Sequence, residues 1–232
     1  LSIRYTYPAY TQKPAETKPE VPGDLVAPAG TKILVRGALN RPVVKAQVMM
    51  DEKPAPGVRM VKEGEAHFIE WETEITAGQD TVWHFAMEDS HGIASRPVDY
   101  TIQAVKDIPP TITIDSPAES EFELRPSEKL PLAYTVQEDF GISSLKIRAN
   151  PSGKPEAAVD VAPLPGRDPD DNELWRGAVI FDLGKLSLEG VSELRFHLEV
   201  ADTLPPDLKG PQTGRSREIL IRIRQDAKPL ME

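Results

Sequence analysis

The sequence predicts an all-β protein: two tandem Ig-like (fibronectin III-like) antiparallel β-sandwiches joined by a short Pro-Pro linker. Three observations predict it. Apolar residues recur at every second position in short runs, as they do along a strand with one buried face. Proline is abundant, with 23 in 232 residues, about twice the ordinary ~5% share, and it disfavours long helices. The halves of the chain also repeat one another at a spacing of about 100 residues, which suits tandem domains rather than a solenoid of short units. The expected domains are residues 1–107 and 108–232.

The first half opens on "LSIRYTYPAY", already strand-like. Ile33, Val35 and Leu39 follow in near alternation, and the turn "NRP" (Asn40–Pro42) leads to Val48 and Met50. Trp83, Phe85 and Met87 form a further run, ended by "DSHG" (Asp89–Gly92), and Val98, Tyr100, Ile102 and Ala104 form the last one. "VKDIPPTITIDSP" (Val105–Pro117) then carries the chain across. Pro109 and Pro110 lack N–H groups and hold φ near about −65°, and each pushes the preceding residue towards extended geometry. The pair predicts a short, stiff joint between modules arranged end to end. Ile112 and Ile114 start the second half. Leu130, Leu132, Tyr134 and Val136 continue it, then Leu145 and Ile147, then Phe196, Leu198 and Val200, and finally Ile219, Ile221 and Ile223. "NPSGKP" (Asn150–Pro155) and "GPQTG" (Gly210–Gly214) mark turns between these runs. About six or seven strands per half match an Ig-like sandwich. The antibody Cys…Trp…Cys pattern is absent.

The repeat is legible in three blocks. "TVWHFAMED" (Thr81–Asp89) lies over "LRFHLEVAD" (Leu194–Asp202) without a gap. "GTKILVRGALNRPVVKAQVMM" (Gly30–Met50) lies over "SEKLPLAYTVQEDFGISSLKI" (Ser127–Ile147), and "PVDYTIQAVKD" (Pro97–Asp107) over "SREILIRIRQD" (Ser216–Asp226).

Composition excludes several functions. The formal net charge is −10, whereas affinity for a phosphate backbone rests on clustered Lys and Arg, so nucleic acid is not an expected partner. There is no cysteine, which removes disulfides, thiolate nucleophiles and Cys-based zinc sites. No apolar run is long enough to span a bilayer. The chain begins without Met, has no signal-peptide pattern, and is expected to be a segment of a longer protein.

No set of residues suggests catalysis. There is no Gly-x-Ser-x-Gly elbow. Ser143 and Lys146 have Ser-x-x-Lys spacing, but they sit on a predicted strand rather than at a helix start. His84 and His197 occupy equivalent repeat positions opposite the apolar face of their strands, where polar residues belong. The acidic residues are the candidates for a site. In "DPDDNE", Asp168, Asp170 and Asn172 fall at positions one, three and five of a calcium loop. Glu173 and Val179 then stand where Gly and Glu are required. Asp139 and Asp202, with Asp89, Asp107 and Glu138, lie near strand ends, where tandem sandwiches sometimes hold calcium. The simpler reading is that these carboxylates cap turns. No catalytic residue, cofactor site or metal site is therefore assigned, and calcium is the one cofactor these residues suggest. Trp71, Trp83 and Trp175 are expected in cores. Tyr5, Tyr7 and Tyr10 are the nearest thing to an aromatic sugar-binding row.

"GDLVAPAGTKILVRGALNRPVVKA", "KDIPPTITIDSP", "LPLAYTVQEDFGISSLKI" and "LEVADTLPPDLKGPQTGRSREILIRI" together resemble the extracytoplasmic region of a family of large, uncharacterised bacterial membrane proteins. In that family transmembrane helices precede tandem Ig-like modules, and a long helical region follows. The resemblance covers most of the chain. It implies a periplasmic or cell-surface location within a membrane-anchored parent, and it supplies no catalytic residues. "EDFG" (Glu138–Gly141) reads as a sharp turn with Gly141 easing the backbone. The expected function is a non-catalytic spacer or protein-interaction module whose partner is another envelope protein. The alternative is a carbohydrate- or peptidoglycan-binding accessory region.

Overall fold

The structure, a computed structural model, describes residues 1–230, and none of them is in an α-helix. The chain divides into two compact units, Leu1–Asp107 and the remainder from Ile108.

The first unit has ten strands: β1 (Ser2–Thr6), β2 (Glu16–Lys18), β3 (Leu25–Pro28), β4 (Lys32–Leu39), β5 (Lys45–Met50), β6 (Lys53–Ala55), β7 (Val58–Glu63), β8 (Ala66–Glu74), β9 (Asp80–Glu88) and β10 (Tyr100–Val105). One sheet runs β2–β1–β4–β8–β7 and the other β3–β10–β9–β5–β6. The alternating residues of β4 and β9 explain the sandwich. Ile33 and Val35 point inward with Ile3 from β1, Ile69 and Trp71 from β8, and Trp83 and Ile102 from the facing sheet. Trp83 is the centre of an aromatic cluster, with its ring 4.8 Å from Trp71, 5.1 Å from Phe85 and 5.1 Å from Tyr100.

The second unit repeats the plan with β11 (Thr111–Ser116), β12 (Glu121–Leu124), β13 (Lys129–Gln137), β14 (Ile142–Pro151), β15 (Ala157–Asp160), β16 (Gly166–Arg167), β17 (Leu174–Asp182), β18 (Glu193–Asp202), β19 (Thr213–Arg215) and β20 (Ile219–Ile223). Its sheets run β11–β13–β17–β16 and β12–β20–β18–β14–β15, with β19 beside β18. Strand for strand, this order is that of the first unit once β2 and β19 are set aside. The aligned blocks "TVWHFAMED" and "LRFHLEVAD" become the equivalent strands β9 and β18. Trp83 and Phe196 hold corresponding core positions, and Phe196 packs on Phe181 at 4.8 Å.

Three features differ from the sequence reading. Each unit has ten strands rather than six or seven, because short edge strands such as β2, β6 and β16 carry no alternating apolar signal. One pairing in each unit is parallel, β3 with β10 and β12 with β20. Val98, expected in the last strand of the first unit, lies before β10 and is 57% exposed. Pro97 has no N–H to offer a ladder there, and Ser95 instead closes the pairing with β9.

Candidate functional site

Strand ends and turns carry the polar residues singled out from the sequence, and most serve the backbone. Asp89 opens the turn after β9. Its Oδ1 accepts N–H hydrogen bonds from His91 (2.9 Å) and Ile93 (3.0 Å), and Arg41 lies 3.6 Å from its other oxygen. Those backbone bonds, Ile93 first, hold its carboxyl below the usual carboxylate range. Asp202, its equivalent at the end of β18, is buried and accepts from the N–H groups of Leu204 (3.0 Å) and Gln212 (2.9 Å). Its Oδ2 is buried without a hydrogen-bond partner, as is Oδ1 of Asp139.

The "EDFG" segment is a turn between β13 and β14. Glu138 is buried, and its Oε1 accepts from the N–H groups of Phe140 (2.9 Å) and Gly141 (3.2 Å). The Glu138 carbonyl accepts the indole N–H of Trp175 at 3.1 Å. The 168–173 loop joins β16 to β17. Asp168 uses Oδ1 for the Asp170 N–H (2.9 Å) and Oδ2 for Arg176 (2.8 Å), and Asp171 accepts from the Glu173 N–H. The Asp170 N–H first, aided by Arg176, lowers the Asp168 pKa. Asp170 and Asn172 are exposed.

Ser143 and Lys146 are engaged separately. The Ser143 hydroxyl donates to the Ala201 carbonyl, and Lys146 faces Asp160 at 3.8 Å. His84 Nδ1 lies 3.0 Å from Asp99. His197, on the equivalent strand of the other unit, has a buried Nε2 without a partner.

The aromatic residues depart from the platform expectation. Tyr5 is buried in the core, and Tyr7 stacks beside it at 6.0 Å with its hydroxyl donating to Glu16. Burial first, and then Glu16, push the Tyr7 phenol up. The Tyr10 hydroxyl donates to the Ala29 carbonyl at 2.9 Å. Tyr5 and Tyr7 do share a face, but it is turned inward. Trp71, Trp83 and Trp175 are buried, with each indole N–H given to a backbone carbonyl. None of the 14 Trp, Tyr and Phe side chains is exposed.

A concave surface missed by sequence reading lies in the first unit, at the end opposite the one where β10 finishes. Here a cavity of about 180 Å³ opens between the sheets, walled by residues of β4, β8, β9 and β10 and by Leu1, Arg96 and Val98. Two further hollows, of about 100 and 190 Å³, share Leu39 with it. The exposed apolar residues Val44 and Ile93 lie on the loops around this end.

A family model described as Domain of unknown function (DUF4175) matches residues 5–189. No curated protein matches the chain. Among solved structures, the titin domains Z1Z2 in complex with telethonin align with a TM-score of 0.38 and 9% identity, over 87% of this chain and 92% of that one. The fibronectin(III)-like modules of Clostridium thermocellum CbhA give a TM-score of 0.33 and 12% identity, over 92% and 96%. A Bacteroides ovatus mixed-linkage glucan utilization locus protein, SGBP-B, in complex with a mixed-linkage heptasaccharide gives 0.27 and 11%, over 88% of this chain and 45% of that one. With scores this low, strand order and register define the fold.

Proposed function

We propose that this chain, which belongs to the DUF4175 family, works without catalysis, as a protein-interaction module and spacer in the extracytoplasmic part of a membrane-anchored bacterial envelope protein. One observation carries the reading. The titratable residues at turns and strand ends are committed largely to backbone N–H groups and neighbouring ions, while one end of the first sandwich leaves apolar side chains and a cavity open to solvent. An exposed apolar concavity on a rigid β scaffold is a feature of contact surfaces. The envelope setting is supported by the resemblance of "KDIPPTITIDSP" and "LPLAYTVQEDFGISSLKI" to such regions. The carbohydrate alternative loses its strongest support, because sugar platforms need exposed aromatic faces and every aromatic residue here is at least half-buried.

The test is capture. The chain is immobilised, detergent-solubilised bacterial envelope is passed over it, and bound proteins and glycans are identified together. A discrete protein partner, released by competing soluble chain, is the expected result. Glycan bound in the absence of protein would overturn the reading in favour of the carbohydrate one.

A further inference from the structure

We propose, building on that interaction-module reading, that the open end of the first sandwich is a docking cleft for a partner polypeptide presenting a bulky apolar side chain beside a carboxylate. Leu39, Ile69, Phe85, Met87 and Tyr100 wall the cavity of about 180 Å³. An apolar cavity of about 150 Å³ is large enough to hold benzene, so the space suits one aromatic or large aliphatic side chain. Val98 at 57%, Ile93 at 56% and Val44 at 52% exposure lie around the same end. Single exposed aliphatics are ordinary, but a group of them around one concavity marks a contact site.

Charge specifies the partner. The acids nearest to Arg96 in sequence are already engaged: Asp99 with His84, Asp89 with the turn N–H groups and Arg41, and Glu88 with Lys45 at 3.1 Å. Arg96 itself makes no hydrogen bond or ion pair with the described residues. Its backbone is tethered through its neighbour. The Ser95 N–H donates to the Met87 carbonyl at 2.7 Å, and the Ser95 hydroxyl accepts the Met87 N–H at 3.1 Å. The chain is thereby pinned to β9 where Met87 forms the cavity wall. A guanidinium without a counter-ion beside an apolar cavity is a receptor for a carboxylate, which it can take with two parallel hydrogen bonds. The apolar side chain supplies affinity and the carboxylate fixes orientation.

The probes are N-acetyl-phenylalanine and its neutral amide, titrated into the whole chain while NMR shifts are followed at Leu39, Met87 and Val98. The expected result is saturable millimolar binding of the acid at these residues, with the amide at least roughly threefold weaker. Arg96→Gln should erase the difference between the two probes while leaving the melting temperature unchanged. Shifts that are absent or lie elsewhere, or equal binding of acid and amide, would overturn the proposal. Decanoate binding the same residues more tightly than the acid would also overturn it, by assigning the cleft to an acyl chain. Envelope capture with Arg96→Gln and Val98→Asp separates this inference from the broader one. A protein partner still held by both variants removes the cleft as its docking site and leaves the interaction module standing.

Discussion

At the scale of single residues, Asp89 and Asp202 show what the repeated acidic positions do. Each stands at the junction of strand and turn at the same place in its unit and accepts two backbone N–H groups from the residues that follow. Asp202 is fully buried, so Asp202→Ala leaves the Leu204 and Gln212 donors without that acceptor. A loss of about 2–3 kcal/mol is expected, read from urea unfolding. Asp89 brings a pH dependence. Its folded pKa is depressed by the Ile93 and His91 N–H groups and by Arg41, so its contribution is present above the unfolded value of about 3.9. That contribution is lost as pH falls through the folded pKa. Asp89→Asn should therefore lower the melting temperature at neutral pH and flatten its decline in acid. A variant whose acid limb matched the parent's would show that the turn bonds, not the charge, carry the effect. The sequence suggested the capping role because short carboxylates followed by turn residues have few other uses. It could not show which oxygens remain without a partner, because the donors to Asp202 come from two separate positions in the following loop.

At the scale of elements, alternation on β4, β9, β13 and β18 was enough to place their inward faces. The weak positions are those where a neighbour decides the outcome. Gly177 on β17 pairs with Tyr134 on β13, and a Cβ at Gly177 would fall against the Tyr134 hydroxyl and ring. Gly177→Ala should cost about 1–3 kcal/mol, measured by thermal or urea unfolding. A neutral result would mean the Tyr134 ring can swing aside. Pro131 illustrates the same dependence on neighbours. It lies within β13 but beyond Ala133, the last β13 residue paired with β11, so one side of the strand is already free of a ladder there. The parallel strands β3 and β12 were illegible because parallel and antiparallel edges present the same short apolar pattern. Their direction follows from where the chain re-enters the sheet.

At the scale of the whole molecule, the two hydrophobic cores contain no residue in common: one lies within residues 1–107 and the other within the rest of the chain. A unit with its own core can fold alone. Residues 1–107 and 108–232, produced separately, should each give dispersed NMR spectra and a cooperative urea transition. A half that failed to fold would show that its stability depends on the rest of the chain. Unit 1 has the test within it, since Trp71 and Trp83 are both buried in its core and report its unfolding by fluorescence.

The sequence by itself determined the all-β class, the duplicated sandwich and the inward residues of the long strands. Those properties follow from local alternation, proline and turn chemistry, which act on neighbouring residues along the chain. Tertiary structure decided the rest. It turned Tyr5 and Tyr7 into the first unit instead of offering them as a platform. It added the parallel edge strands, and it brought Leu39, Ile69, Met87 and Arg96 from separate segments around one cavity. Periodicity tells which face of a strand is apolar, but whether another element covers that face depends on contacts between residues far apart in sequence.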